Sequence, residues 1–107
     1  MTTSRSDRRS ERDIQQSIVD YLRRTGWMVR EMSQRHAVHG DMIGMPDVIA
    51  WRHGVTLLIE CKKRGGRMRQ SQKDFLVEIT PHLGDRLHYL LAFNEDELIA
   101  FLGRITA

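Results

Sequence analysis

The chain has 107 residues, 40% of them hydrophobic and 29% charged, with a formal net charge of +3. That length suits one compact domain rather than two, the longest apolar runs are too short to cross a bilayer, and the N-terminal "MTTSRSDRRSERD" has no apolar centre of the kind a secretory signal needs. The single Cys61 has no partner for an internal disulfide, so the composition fits a reducing compartment such as the cytoplasm.

Residues 1–9 are polar and basic and read as a flexible arm, leaving residues 10–107 as the single folded domain. Ser10 is a candidate N-cap, with Asp13 three residues on in capping-box position. From Glu11 to Thr25 the apolar Ile14, Ile18, Tyr21 and Leu22 recur at helical spacing, and Gly26 ends that helix. "WMVREM" (27–32) reads as a strand. Residues 33–45, "SQRHAVHGDMIGM", have no period and read as a long loop.

Two strands follow, "DVIAWR" (47–52) and "VTLLIECKK" (55–63), and the two-residue "HG" between them predicts a hairpin. Gly65-Gly66 breaks the chain. A second helix is predicted from about Arg69 to Thr80, with Phe75, Leu76 and Ile79 inward and Pro81 and Gly84 ending it. "LHYLLAF" (87–93) is a fourth strand. "NEDELIAFLGRI" is a last helix with Asn94 as its cap. The order is α-β-β-β-α-β-α, an α/β sheet covered by helices.

The charge is uneven. Residues 1–73 carry 15 Lys/Arg against 8 Asp/Glu, while residues 74–107 carry 2 against 6. The segment "ECKKRGGRMRQSQK" holds six cations and one anion. Clustering of this kind fits a phosphate-rich partner such as a nucleic acid, with Lys63, Arg64, Arg67, Arg69 and Lys73 as the candidate contacts. A merely solvated basic loop is the plainer alternative.

Asp47 opens one strand, and Glu60 and Lys62 close the next. Residues two apart on a strand share a face, so Glu60 and Lys62 point together while Leu57, Ile59 and Cys61 line the opposite face. A hairpin brings Asp47 to the end of the second strand. Two neighbouring carboxylates repel each other, and burial worsens the conflict; a divalent cation removes it. Mg²⁺ favours one or two carboxylates together with waters and substrate phosphate, and there it can polarise a phosphodiester. A nearby lysine can position or deprotonate a water, or stabilise charge on the phosphate. An isolated Glu-x-Lys is more often a pair of ion pairs at a strand end. Two further residues weigh against that reading. Glu11 precedes Ile14 by three and Ile18 by seven, and Gln72 stands in the same relation to Phe75 and Ile79. Each helix therefore aims a polar residue at the sheet from its first turn, and buried polar groups need partners. Gln15, one turn after Glu11, is a lesser candidate.

The ordered set Glu11…Gly44-x-Pro46-Asp47…Glu60-x-Lys62…Gln72, within "ERDIQ", "GMPD", "IECKK" and "QSQKDFL", resembles the PD-(D/E)XK nuclease superfamily, and within it the VRR-NUC (virus-type replication–repair nuclease) branch. The resemblance covers residues 10–80. It implies a restriction-endonuclease-like core, α-β-β-β-α-β with a mixed four-stranded sheet, to which this chain adds a C-terminal helix. It implies Mg²⁺-dependent hydrolysis of DNA phosphodiester bonds, with Mn²⁺ able to substitute. Asp47 and Glu60 would bind the metal with the Cys61 backbone carbonyl, and Glu11 would complete the shell directly or through water. Lys62 would be the catalytic lysine, and Gln72 would orient groups at the site. Small stand-alone members are similar to homodimeric Holliday-junction resolvases and often belong to phages, so branched DNA in replication, recombination or repair is the implied substrate. One position departs from the pattern: Arg69 stands where Ser or Thr would cap the second helix.

Other readings fit less well. A ββα-metal nuclease needs histidines with an asparagine-like ligand, and the one asparagine, Asn94, lies in the acidic tail. His36 and His39 lack the further ligands of a zinc site. Trp27 and Trp51 fit a core or dimer contact better than base stacking. Met28, Met32, Met42 and Met45 read as filler or interface. Lys62-Lys63-Arg64 sits at a strand end, unlike a localisation signal. A sequence-specific restriction enzyme would need a larger recognition region. The rival from another class is a non-catalytic DNA-binding module on a nuclease fold, against which the intact acidic cluster argues.

Overall fold

The computed structural model describes residues 7–32 and 42–106. The elements are α1 (Glu11–Arg24), β1 (Met28–Glu31), β2 (Val48–Arg52), β3 (Val55–Cys61), α2 (Gln70–Ile79), a 3₁₀ turn (Thr80–His82), β4 (Leu87–Ala92) and α3 (Glu95–Ile105). The predicted α/β order is thus the observed one. Residues 1–6 of the arm and positions 33–41, with His36 and His39, lie outside the described residues.

Local chemistry explains the boundaries. Ser10 Oγ accepts the Asp13 N–H at 3.1 Å, satisfying one of the donors a helix start leaves open. At the other end Gly26 adopts φ 94°, and the Trp27 N–H reaches back to the Leu22 carbonyl at 3.0 Å. Asn94 caps α3 by accepting the Glu97 N–H at 2.9 Å. The end of α2 differs from expectation. The chain does not stop at Thr80 but tightens into the 3₁₀ turn, with Pro81 supplying a fixed φ.

The sheet order is β1-β2-β3-β4, with the first three antiparallel and β3–β4 parallel. His53 (φ 50°) and Gly54 (φ 82°) join β2 to β3. Positive φ at both central positions is what a tight hairpin of this twist requires, and it fixes the register Val48↔Ile59 through Arg52↔Val55. The parallel β3–β4 pair needs a crossover, which α2 provides.

α1 and α3 cover one face of the sheet. Ile14, Ile18, Val19 and Leu22 meet Val29, Val48, Ala50, Leu57, Ile59, Cys61, Ala92, Leu98 and Leu102 in a continuous core. The second face carries Ile49, Trp51, Leu58, Glu60, Tyr89 and Leu91, and α2 covers it only in part. Ile49, Trp51, Tyr89 and Leu91 stay half-buried, and Met28 is 52% exposed. No helix among the described residues is long and apolar enough to cross a membrane.

Candidate metal centre

The hairpin register decides where the charges meet. One position beyond the Val48↔Ile59 pair, Asp47 stands opposite Glu60. β2 begins at Val48 and β3 ends at Cys61, so Asp47 and Lys62 sit just outside the strands rather than within them. Burial is nearly complete: relative exposure is 9% for Asp47, 0% for Glu60, 3% for Lys62 and 3% for Gln72. Lys62, wholly buried, cannot serve an exposed localisation signal.

Asp47 Oδ2 accepts the Cys61 N–H at 2.8 Å. A strand residue's N–H and C=O point to the same side, and the Lys62 N–H of the next peptide donates away, to Ala92 O at 3.0 Å. The Cys61 carbonyl therefore turns toward Asp47. Lys62 Nζ lies 3.3 Å from Glu60 Oε2 and 3.8 Å from Glu11 Oε1. Glu11 reaches the cluster from the first position of α1. Its side chain remains 40% exposed, at the rim rather than on the buried stripe its spacing predicts.

Gln72 closes the site from the other helix. Its Oε1 accepts the Arg69 N–H at 2.8 Å, which leaves Nε2 to donate to Glu60 Oε2 at 2.9 Å. The first bond also resolves the missing cap. The Arg69 side chain does not cap α2; Gln72, at the third helical position, reaches back to do it. The helix still begins where Gln72 needs it.

Gly44 explains why α2 can stand so close. Its φ is 88°, and a Cβ there would run into the Ser71 carbonyl. Gly44 therefore lies directly against the first turn of α2, and Pro46, two residues on, is fully buried.

The electrostatics fit a cation. Burial pushes the Glu60 carboxyl up to about 8; the Asp47 charge adds to this and Lys62 opposes it. Glu60 Oε1 is buried without a hydrogen-bond donor, alone in this among the described side-chain atoms. An orphaned buried acceptor calls for an unseen partner. One oxygen each from Glu11, Asp47 and Glu60 lies within 4.8 Å of the others. An all-oxygen donor set of three carboxylates beside a carbonyl suits a hard divalent cation such as Mg²⁺ or Mn²⁺. The Cys61 thiol points into the core, where burial raises it far above the usual thiol range, so it supplies no nucleophile.

Lys63, Arg64, Arg67, Arg69 and Lys73 are all exposed and border the site from the β3–α2 loop and the first turn of α2. Gln15 does not join it; its Nε2 donates to Glu31 Oε1 at 3.0 Å. Arg9 was not legible in the sequence as part of this region. Its guanidinium bonds Asp7, Ser17 and Glu95 and ties the chain before α1 to both α1 and α3. No sequence period links residues 86 positions apart, so only the fold reveals it.

The family model described as archaeal Holliday junction resolvase (hjc) matches residues 4–80, a span that contains Glu11, Asp47, Glu60, Lys62 and Gln72. No curated protein matches the chain.

Proposed function

The chain belongs to the archaeal Holliday junction resolvase family, whose members are PD-(D/E)XK nucleases, and from that premise we propose that it is a Mg²⁺-dependent, structure-selective DNA endonuclease that cuts four-way junctions. The observation that carries the proposal is the buried Asp47–Glu60 pair with Glu60 Oε1 left without a donor. A non-catalytic DNA-binding fold has no use for buried acids beside its basic loop, since they repel phosphate.

Asp47, Glu60, Glu11 and the Cys61 carbonyl would hold the cation, with Mn²⁺ able to replace Mg²⁺. When bound, the cation neutralises phosphate charge and acidifies a water. The remaining work belongs to the chain. Lys62 Nζ, buried between Glu60 and Glu11, donates to the attacking water or to a phosphate oxygen. Gln72 fixes the Glu60 carboxylate so that its free oxygen faces the cluster. Lys63, Arg64, Arg67, Arg69 and Lys73 hold the phosphate backbone alongside. The narrower VRR-NUC likeness and a phage origin rest on the motifs alone, and a cytoplasmic location follows from the substrate.

Resolution needs two symmetric cuts, and one chain supplies one cluster. The proposed assembly is a two-fold dimer in which a second copy covers the half-open sheet face around Met28 and Trp51. Light scattering at micromolar concentration should give twice the mass of one chain. A panel of branched and linear DNAs incubated with Mg²⁺, Mn²⁺, Ca²⁺ or EDTA tests the activity. Cutting of four-way junctions in preference to duplex, lost in EDTA, supports it; an inert panel in every metal removes it.

A further inference from the structure

Glu11 is the least secured member of the cluster. It is the first residue of α1, its side chain is 40% exposed, and a helix end frays. Its backbone is held by Ser10, whose carbonyl accepts the Ile14 N–H at 3.1 Å and whose hydroxyl accepts the Asp13 N–H at 3.1 Å. Nothing in those two bonds fixes Ser10 itself to the sheet.

Arg9 does that. Its Nε and Nη2 donate to the two Asp7 oxygens at 3.0 and 2.8 Å. Its Nη1 and Nη2 donate to the two Glu95 oxygens at 3.0 and 2.7 Å, and Nη1 also donates to Ser17 Oγ at 3.0 Å. All five guanidinium donors are used, in two bidentate carboxylate pairs and a hydroxyl bond. The carboxylates of Asp7 and Glu95 are both held below their ordinary range, each chiefly by the hydrogen bond from Arg9. Glu95 opens α3, which follows β4, and the Lys62 N–H is bonded to Ala92 at the end of that same strand. The anchor of Arg9 thus lies a short step along the chain from the strand end that presents Lys62.

We propose that Arg9 is a positioning residue for the metal centre: by clamping the chain before α1 onto Ser17 and Glu95, it sets where Glu11 stands relative to Glu60 and Lys62. Arg9 bonds Asp7, Ser17 and Glu95 and no member of the acidic cluster, so it acts through Glu11. The inference rests on the metal-nuclease reading of the site. Lysine cannot replace it, having one point of charge where the geometry uses a planar fork.

The test is Mn²⁺ binding to the metal-free protein by titration calorimetry, at a temperature where each variant is folded. Arg9→Gln should weaken binding roughly threefold to tenfold, at or below the low end of what loss of a group bonded directly to a ligand costs. Glu95→Gln, which leaves the chain before α1 unaltered, should shift binding in the same direction and serves if Arg9→Gln fails to fold. Combining Arg9→Gln with Glu11→Gln should weaken binding no further than Glu11→Gln alone, because the effect passes through Glu11. Amide exchange at Asp13 and Ile14 should quicken in Arg9→Gln, a readout independent of metal. Unchanged affinity in Arg9→Gln and Glu95→Gln, or a fully additive double variant, overturns the proposal. Asp47→Asn separates the two levels: if it too leaves Mn²⁺ binding intact, the metal site itself is wrong, whereas loss in Asp47→Asn alone removes only the role of Arg9.

Discussion

Gln72 and Glu60 are joined by a 2.9 Å bond from Nε2 to Oε2, so a helix N-terminus holds one carboxylate oxygen while the other is left without a donor. Lys62 shares the bonded oxygen at 3.3 Å. Burial, with the Asp47 charge opposite, raises this carboxyl to about 8 against the opposing pull of Lys62, so without a cation it favours the protonated form.

That shift makes metal-free stability depend on pH in an unusual direction. Between the ordinary carboxylate range and about 8, the folded state binds a proton at Glu60 that the unfolded chain has released. Unfolding stability therefore falls as pH rises through that window, by an amount on the order of a few kcal/mol from this group. Thermal melts in EDTA from pH 5 to pH 8 should show the decline. Glu60→Gln, which cannot titrate, should flatten it, and Mg²⁺ should restore more stability at pH 8 than at pH 5. A metal-free melting temperature that rises over the same interval in the wild type and not in Glu60→Gln would reverse the sign.

The basic loop makes a prediction about salt. Arg67 and Arg69 are exposed, and the Arg69 side chain plays no part in capping α2, so both can be changed without disturbing Gln72. The logarithm of affinity for a four-way junction in EDTA should fall linearly with the logarithm of salt concentration. Arg67→Ala with Arg69→Ala should flatten that slope by about one unit for each phosphate no longer neutralised. An unaltered slope would make the run a solvated loop.

Gly44 carries a structural prediction with a functional consequence. Alanine there meets both the positive φ and the Ser71 carbonyl, and such strain costs roughly 1–3 kcal/mol. Relief requires α2 to retreat, which lengthens the Gln72–Glu60 bond. Urea unfolding of Gly44→Ala should show the loss, and junction cleavage should fall further than stability alone explains, at a temperature where the variant is fully folded. Gly65→Ala is the control. It also has positive φ, at 80°, but no atom within 4 Å of the added Cβ, and it should cost less.

The parts of this site that the sequence discloses are those governed by short-range rules. The two-residue turn at His53-Gly54 admits one register, and that register alone sets Asp47 opposite Glu60. Helical spacing points Gln72 to the side of Phe75 and Ile79, which the structure leaves half-buried while Gln72 itself is buried. The same rule overstates Glu11, which shares a face with Ile14 but stands past the end of the sheet, where nothing covers it fully. What stays hidden is contact between segments with no shared period. The Arg9–Glu95 pair spans most of the chain, and the approach of Gly44 to Ser71 depends on how α2 docks. Pro81 reads as a stop, yet it is equally at home in the 3₁₀ turn that continues from α2. The arm assigned to residues 1–9 ends in residues that Arg9 fastens to the domain.

The most direct test of the central claim pairs two buried residues that differ in role. Asp47→Asn, Lys62→Met and the wild type are each incubated with a labelled four-way junction and Mg²⁺, after calorimetry has measured Mn²⁺ binding and circular dichroism has shown that each is folded. The account predicts that Asp47→Asn loses both metal binding and cleavage, while Lys62→Met keeps metal binding and loses cleavage, because an ammonium is not a ligand and a methionine keeps the buried stem filled. Junction cutting at the wild-type rate by either variant, or wild-type cutting undiminished in EDTA, would contradict it.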